Sequence, residues 1–467
     1  MSRPTNWRPG RSFSDRARLV VFEVLMEVAE NGAYANLALP RAISRSRLNK
    51  QDAAYATNLC YGTLRLQGRW DAVISHCTDR PDMDLPVRML TRMGTHQLLE
   101  LGTPPHAAIN ETVKIARNEL GSGASGFVNA VLRRVSERTP QQWQKQLLAD
   151  AGGKANTVDF LANWFSHPQW IVRAYSAALR AHGRQHKELV SVLRADNTPP
   201  EVALVARSIS TADLSADISR GHMNAQPGNL VDSAVLLTGG DPGRVFAVKD
   251  RIAAVQDEGS QLVSRTFAAA PISGKDDLWL DLCAGPGGKT ASLAAWNPQV
   301  TIHANELHDH RLDLVADAVA PFADRVALRA GDGRELGEIE TGSYDRVLID
   351  APCTGIGALR RRPEARWRKT AGDAVDLAVL QIELLESGWQ ALRSGGVLGY
   401  CTCSPYLAET LDVVDPFLAK NPDAELLPAA HIAATEAKLP ISGENYLQLW
   451  PDIHHSDAMF LALLRKN

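Results

Sequence analysis

The stretch that decides the fold is "LDLCAGPGGKT", residues 280–290, in which an apolar run leads into a glycine-rich turn. The pattern predicts a buried strand, a tight turn and then a helix over "KTASLAAW". Bare backbone in such a turn can approach a ligand closely. A P-loop would need glycine where Cys283 stands, and a dinucleotide fingerprint would need glycine where Thr290 stands. The stretch therefore predicts a site for either a nucleotide or S-adenosylmethionine.

Short apolar segments alternate with helical ones from Asp276 onward, which predicts an α/β fold with a Rossmann-like parallel sheet. Further strands are predicted in "VTIHANEL", "RVALRAGDG", "YDRVLIDAP" and "GGVLGYCT", and an antiparallel edge in "YLQLWP" and "DAMFLALLRK". Ligands of such sheets bind outside the carboxyl ends of the strands. We therefore expect the functional residues at that edge.

Two carboxylates follow the second and third strands of this sheet. Glu306 stands about twenty residues after the turn, where it could accept hydrogen bonds from a ribose diol. Asp332, in "AGDGRE", could read an adenine amino group or could serve only as a turn residue. The pair favours an adenosine-type ligand without a 2′-phosphate.

Two cysteines follow the fourth and fifth strands: Cys353 in "RVLIDAPCTG" and Cys403 in "GYCTCSP". If the strands are neighbours, both thiols face the crevice of the glycine turn. The C-x-C pair lacks further ligands at suitable spacing, so we expect no metal. We expect no disulfide in a reducing compartment. Cys401 and Cys283 are interpreted as packing residues, with the backbone of Cys283 facing the ligand.

Cys403 suits a chemistry that needs a thiol nucleophile beside a methyl donor. Carbon 5 of a pyrimidine is a weak nucleophile, but a thiolate added at carbon 6 makes it an enamine-like one. The adduct must then lose a proton and expel the thiol, so a second group must assist. Asp350 could hydrogen-bond the ring N3 and the amino edge of a cytosine.

A basic segment, "LRRRPEARWRKT" at residues 359–370, follows the fourth strand. Guanidinium groups can fork onto phosphates and an indole can stack on an unpaired base, so the segment predicts an RNA contact. A solvated basic loop is the alternative. The candidate RNA-binding residues are Arg360, Arg361, Arg362, Arg366, Trp367 and Arg368.

The 467 residues are predicted to form more than one domain. We expect a basic flexible tail over 1–13, a helical domain over 14–145, a connecting α+β region over 146–270 and a catalytic domain over 271–467. The arginines near the start (Arg3, Arg8, Arg11, Arg16 and Arg18) could fasten onto RNA. In "TPPHAAINETVKIARNELG", Asn110 or Thr112 is expected to cap a helix.

Composition indicates a cytoplasmic protein with reduced thiols, because six cysteines in 467 residues are too sparse for a disulfide framework. No segment predicts a signal peptide or a bilayer span, so no membrane partner is expected. A net charge of −3 excludes a uniformly basic nucleic-acid binder but not local basic patches.

Four motifs in order, "LDLCAGPGGKT", "LIDAPCTG", "RRRPEARWR" and "TCSP", resemble those of the RNA cytosine-5 methyltransferases of the Nop2/Sun family. The helical segment, with "PPHAAINETV" and "GFVNAVLRRV", resembles the RNA-binding factor NusB. The pairing is similar to family members that act on 16S ribosomal RNA. The resemblance implies a class I methyltransferase fold that uses S-adenosylmethionine, with ribosomal RNA as partner.

The resemblance also implies roles for individual residues. Cys403 would be the nucleophile, Cys353 would assist release, and Asp350 would serve both the cofactor and the base. DNA cytosine-5 methyltransferases attack with the cysteine of a Pro-Cys pair, but "TCSP" and the NusB-like segment favour Cys403. The implied contacts of S-adenosylmethionine are Cys283, Ala284, Gly285, Pro286, Gly287, Gly288, Lys289, Glu306, Asp332 and Asp350.

One family feature is altered after the nucleophile. Many relatives carry Pro-Glu-Glu-Asn where this chain has Leu407, Ala408, Glu409 and Thr410, so the contacts of the asparagine are in doubt. Transfer RNA is the alternative substrate. A NusB-like assembly factor with a vestigial catalytic domain and a P-loop NTPase are the alternatives of other classes.

Overall fold

The computed structural model describes residues 15–80 and 82–467. Two compact units divide the chain. The first runs to Gln169 and includes Arg362–Glu364, and the second comprises Trp170–Arg361 and Ala365–Asn467. The tail predicted over 1–13, with Arg3, Arg8 and Arg11, lies outside the described residues.

The first unit is helical and, within its described residues, contains no strand, as predicted. Its core packs Leu25, Leu59, Leu90 and Leu132 from four helices. The helices are α1 (Arg16–Glu30), α2 (Ala35–Ser46), α3 (Lys50–Arg65), α4 (Gln67–Ser75), α5 (Leu85–Leu99), α6 (Pro105–Leu120), α7 (Ser122–Ser136), α8 (Pro140–Asp150) and α9 (Val158–Phe165).

The predicted cap of α6 is wrong. Asn110 and Thr112 lie inside the helix, which begins at Pro105. Proline has a fixed φ and lacks an N–H, so it is tolerated in the first turn, where the backbone donors have no helical partner. Thr112 instead donates its hydroxyl to the carbonyl of Ala108, one turn earlier.

The second unit begins with a small antiparallel sheet. Only one of its strands, β1, was predicted, together with the helix α10. The elements are α10 (Gln169–Ala181), α11 (Leu189–Asp196), β1 (Val202–Ala206), α12 (Thr211–Arg220), β2 (Asn224–Pro227), β3 (Ala234–Thr238), α13 (Phe246–Lys249) and β4 (Ala253–Val255). The strand order is β2-β3-β1-β4.

The main sheet follows with helices between its strands. Its elements are α14 (Glu258–Ala269), β5 (Leu278–Asp281), α15 (Gly288–Trp296), β6 (Thr301–Glu306), α16 (Asp309–Val319), β7 (Val326–Ala330), α17 (Leu336–Ile339), β8 (Tyr344–Asp350), α18 (Ala371–Ala391), β9 (Leu392–Thr402), α19 (Leu411–Lys420), β10 (Ala424–Leu427), α20 (Ala429–Glu436), β11 (Leu447–Gln448), α21 (Pro451–His454) and β12 (Phe460–Lys466). The order is β10-β12-β9-β8-β5-β6-β7, with β11 beside β12.

Strands β5 to β9 pair in parallel, and β12 pairs antiparallel with both β9 and β10. The parallel core and the antiparallel edge were predicted, whereas β10 was not. Apolar clusters cover both faces of the sheet, as a parallel sheet requires. Asp350 is aligned with Cys401, and Asp281 with Leu348, so the carboxyl ends of these strands meet at one edge.

In the described part of the chain, we find no helix whose length and apolar character would let it cross a bilayer.

Candidate active site

The glycine turn between β5 and α15 is shaped by close backbone contacts. Gly287 has a φ of +93°, and a Cβ there would lie 2.9 Å from the Cα of Val315. A Cβ at Gly285 would lie 2.1 Å from Oε2 of Glu306. Both positions therefore require glycine, and the bare turn passes directly beside the carboxylate that ends β6.

Glu306 is buried and held by backbone donors. The N–H of Gly285 donates to Oε2 and the N–H of His308 to Oε1, each over 3.1 Å. Arg311 lies 3.5 Å from the same carboxylate and donates to the carbonyl of Gly285 over 2.6 Å. Arg311 was not predicted, because an arginine in a surface helix has no motif to mark it.

Asp332 lies half-buried in the loop after β7. Arg334 donates Nε to both of its oxygens over 3.0 and 3.1 Å. These hydrogen bonds hold the pKa of Asp332 below its usual value, so the group is a carboxylate near neutral pH. Asn305 links this loop to the glycine turn by donating Nδ2 to the carbonyls of Gly331 and Leu282 over 3.1 Å each.

Asp281, the last residue of β5, was missed as a site residue. Its Oδ2 accepts the hydroxyl of Thr290 over 2.6 Å, and burial raises its pKa to about 7. Its Oδ1 and the Oδ1 of Asn305 are buried acceptors without a hydrogen-bond partner among the described residues. A carboxylate closing a buried strand was the available sequence signal.

Lys289 and Asp350 form a largely buried ion pair with Nζ and Oδ2 2.7 Å apart. Burial lowers the pKa of Lys289, but the charge and hydrogen bond of Asp350, together with Cys401 and Cys403, outweigh burial and leave that pKa above its usual value. Cys401 is fully buried, as predicted, and its thiol donates to Oδ1 of Asp350 over 3.5 Å. Cys283 is half-buried against the apolar cluster on one face of the sheet.

The thiols of Cys353 and Cys403 lie 3.4 Å apart, so the two strand ends bring these cysteines into contact. Both are free and half-buried. The hydrogen bond from Cys353 lowers the pKa of Cys403, although burial opposes this effect. The same hydrogen bond, with burial, raises the pKa of Cys353 well above its usual value. One proton between two sulfurs therefore favours a thiolate at Cys403.

An ion cluster lies beside Cys403. Arg361 donates Nε to both oxygens of Asp457, over 3.1 and 3.0 Å. Asp257 accepts the N–H of Asp457 over 3.0 Å, and burial raises the pKa of Asp257 to about 6. Burial lowers the pKa of Arg361, but Asp457, Asp257 and Cys403 together outweigh burial and leave that pKa raised, so Arg361 remains a cation.

The basic segment does not present one exposed face. Arg360 is buried and donates to the carbonyl of Ser456 over 3.3 Å. Arg366 is fully buried and donates to Oδ1 of Asn197 over 2.9 Å. The prediction of an RNA contact is therefore corrected for these two arginines, because internal acceptors hold their guanidinium groups.

The other members of the segment are more accessible. Trp367 and Arg362 are exposed and Arg368 is half-buried. Arg362 lies over the ring of Tyr34 within the first unit, with its Cζ 5.2 Å from the ring centroid. Arg361 is half-buried in the ion cluster. Of the candidate RNA-binding residues in the second unit, Trp367 is therefore the exposed one.

The order β7-β6-β5-β8-β9, extended by the antiparallel strands β12 and β10, is that of a Rossmann-like methyltransferase sheet. Acidic side chains and a glycine turn stand at its carboxyl edge, where such sheets bind ligands.

Solved structures share this fold. The crystal structure of PH0851 has a TM-score of 0.79 at 22% identity, and covers 98% of this chain and 100% of its own. The structure of NSun6 from Pyrococcus horikoshii with SFG has a TM-score of 0.54 at 17% identity, and covers 63% of this chain and 97% of its own.

Sequence comparison gives the particular family. Residues 270–465 match the family model described as 16S rRNA methyltransferase RsmB/F, and residues 15–137 match that of the NusB family. The chain is 30% identical over 455 residues to ribosomal RNA small subunit methyltransferase B of Klebsiella pneumoniae, covering 96% of this chain and 98% of that protein. It is 44% identical over 469 residues to Rv1407, a Mycobacterium tuberculosis protein named as a methyltransferase, covering 99% of each.

The chain therefore belongs to the RsmB/F family of methyltransferases and carries a NusB-family helical domain. This confirms the fold class and the resemblance predicted from the motifs.

Proposed function

We propose that this protein methylates carbon 5 of a cytosine in 16S ribosomal RNA, with S-adenosylmethionine as the methyl donor. The observation that carries the proposal is the pair of thiols 3.4 Å apart at the ends of two neighbouring strands. Among family members, names such as ribosomal RNA small subunit methyltransferase B support the choice of substrate.

The methyl donor fits the residues around the glycine turn. The carboxylates of Glu306 and Asp332 follow neighbouring strands, where they can accept hydrogen bonds from a ribose and an adenine. The unpartnered oxygens of Asp281 and Asn305 offer two further buried acceptors. The backbone from Cys283 to Lys289 completes the proposed binding site, and S-adenosylmethionine supplies an activated methyl group.

Cys403 acts as the nucleophile in this proposal. Its thiolate bonds to carbon 6 of the cytosine, which raises electron density at carbon 5 so that this carbon accepts the methyl group. Lys289 and Arg361 place positive charge near the thiolate. Asp350, fixed by Lys289, accepts a hydrogen bond from the exocyclic amino group of the cytosine.

Cys353 assists the release of the product. Once carbon 5 is methylated, it loses its proton, and the bond between carbon 6 and Cys403 breaks. The two thiols lie within hydrogen-bond distance of each other, so Cys353 can protonate the departing sulfur of Cys403 or relay the proton from carbon 5. Trp367 is exposed and can stack on an unpaired base of the RNA around the target cytosine.

Two cysteine variants test the proposal. Cys403→Ala is expected to abolish methyl transfer to 16S ribosomal RNA while the binding of S-adenosylmethionine, measured by calorimetry, persists. Cys353→Ala is expected to accumulate a denaturant-stable adduct of protein and RNA. Cys77→Ala, which changes a buried cysteine of the helical unit, is the control and should behave as the unmodified protein.

Normal turnover by Cys403→Ala would refute the proposal. Methylation of transfer RNA in preference to 16S ribosomal RNA would preserve the chemistry and change the substrate.

A further inference from the structure

Glu409 is a fully buried carboxylate to which the proposed reaction assigns no role. It lies six residues after Cys403, in a short 3-10 turn over Leu407–Glu409. Its Oε1 accepts the N–H of Thr354 and its Oε2 accepts the hydroxyl of Thr354, each over 2.6 Å. Both oxygens therefore act as acceptors, and although burial raises the pKa of Glu409, these hydrogen bonds favour its ionised form.

These bonds hold the loop that carries Cys353. On the other side of the cysteine, Gln381 donates Nε2 to the carbonyl of Pro352 over 2.7 Å. Residues 352 and 354 are thus both tethered to buried side chains. A loop fixed at both neighbours of Cys353 keeps its thiol within reach of Cys403.

The two sulfurs differ in the charged groups that act on them, because cations act beside carboxylates at Cys403. Lys289 and Arg361 act on Cys403, and both favour its thiolate. Asp457 and Asp350 oppose that effect at Cys403, whereas Cys353 is influenced by Glu409 and Asp350, both of which favour its protonated form. Cations therefore offset the carboxylates at Cys403, whereas at Cys353 the charge of Glu409 adds to that of Asp350.

We propose that Glu409 is a positioning residue that clamps the loop over residues 352–354 and keeps the proton of the shared hydrogen bond on Cys353, leaving Cys403 as the nucleophile. The role rests on the proposed function, because it decides which of two adjacent thiols attacks. Glu409 does so through Thr354 and through its charge, without touching the RNA base.

Thiol reactivity tests the inference without any RNA or methyl donor. Glu409→Gln preserves the shape of the side chain and removes its charge. Both cysteines are half-buried, so alkylation by iodoacetamide can be followed for each by peptide mass spectrometry over a pH series. In the unmodified protein Cys403 should react faster at neutral pH. In Glu409→Gln, Cys353 should react about tenfold faster than before, as for a pKa lowered by one unit.

Two further variants control the measurement. Thr354→Val removes one of the two hydrogen-bond donors to Glu409. It should change the alkylation rates of the two cysteines in the same direction as Glu409→Gln, by a smaller factor. This variant keeps the inference testable if Glu409→Gln does not fold. Glu425→Gln removes a carboxylate on β10 that pairs with Arg465, and should leave both reactivities unchanged. Thermal melting of each variant checks folding.

The outcomes separate this inference from the proposed function. A folded Glu409→Gln or Thr354→Val variant with the same ratio of the two alkylation rates as the unmodified protein would overturn the role of Glu409. Accumulation of the protein–RNA adduct by Glu409→Gln, as expected for Cys353→Ala, would support it. Failure of the unmodified protein to methylate any RNA would refute the proposed function, while the alkylation ratio would still decide on Glu409.

Discussion

At the scale of single residues, the reactivity of Cys403 depends on charges supplied by distant parts of the sequence. A thiolate in a half-buried crevice needs cations nearby, because burial alone favours the neutral thiol. Lys289 comes from α15 and Arg361 from the segment after β8. A carboxylate, Asp350, in turn keeps Lys289 charged.

Lys289→Gln should therefore weaken Cys403 as the proposed nucleophile. Loss of the cation raises the pKa of Cys403, so the thiolate fraction at neutral pH falls and the rate reaches its plateau at higher pH. A rise of one unit in the pKa of Cys403 lowers the methylation rate at neutral pH about tenfold. Single-turnover methylation over a pH series, with saturating methyl donor, measures the midpoint of the pH dependence of the rate. An unchanged midpoint would contradict the role assigned to Lys289.

Asp281 predicts a pH dependence of stability. Its pKa is raised to about 7 in the folded state, whereas an unfolded chain ionises it near its ordinary value. The group therefore contributes stability at acidic pH that is lost as the pH rises towards about 7. Relative to the unmodified protein, Asp281→Asn should gain about 2–3 kcal/mol of unfolding free energy between pH 5 and pH 8. Denaturant unfolding at the two pH values checks this, and an equal difference at both would refute it.

Gly285→Ala tests the close approach of the turn to Glu306. The added methyl group would meet Oε2 at 2.1 Å and displace the carboxylate from its backbone donors. We expect the affinity for S-adenosylmethionine to fall at least tenfold with little loss of secondary structure. Calorimetric titration measures the affinity. Gly274→Ala is not a suitable control because its φ is +83°, whereas Gly372→Ala, at the start of α18, is suitable.

At the scale of elements, the segment after Cys353 is fastened to the two strands beside it. Gly357 donates its N–H to the carbonyl of Cys403 over 2.9 Å and accepts the N–H of Ala458 over 2.9 Å. Tyr175 of α10 donates its hydroxyl to the carbonyl of Ile356 over 2.6 Å. The segment therefore bridges the end of β9 and the chain before β12.

Gly357→Ala should disrupt this bridge. A Cβ at Gly357 would lie 2.2 Å from the carbonyl oxygen of Ala458 and 2.8 Å from that of Cys403. Both contacts are with backbone atoms, whose displacement costs more energy than the movement of a flexible side chain. We expect a loss of about 1–3 kcal/mol in unfolding free energy and slower methylation. Denaturant unfolding and single-turnover rates measure the two effects. Retention of both would show that the local backbone adapts.

At the scale of the whole molecule, the chain contains two compact units, each with its own apolar core. Each unit can therefore unfold in its own transition. The proposed binding site of S-adenosylmethionine lies entirely within the second unit.

Calorimetry should separate the two transitions. At a concentration of S-adenosylmethionine one hundred times its Kd, the transition of the second unit should be stabilised by about 2.7 kcal/mol and that of the first left in place. Leu90→Ala, a change in the core of the helical unit, identifies the first transition by lowering it. Stabilisation of the Leu90-sensitive transition alone would contradict the location of the site.

The sequence by itself determined the strand–turn–helix around the glycine turn, the parallel direction of the following strands and the positions of Cys353 and Cys403 at two strand ends. These features follow from local pattern: residue periodicity, glycines where a Cβ would clash, and the rule that parallel strands end at one edge. Neighbouring strands then bring the two thiols together.

Only the tertiary structure decided which charged side chains serve the site. The sequence predicts that Arg360 and Arg366 are exposed together with Trp367, but packing buries both guanidinium groups against internal acceptors. Glu409 and Arg361 become relevant because each meets a partner far along the chain, Thr354 and Asp457. β10 and most of the small antiparallel sheet were likewise missed, since their pairing depends on contacts between distant segments. The charge of each residue and the periodicity of apolar residues can be read from the sequence. The burial of a charge and the identity of its partner are decided only when separate segments pack together.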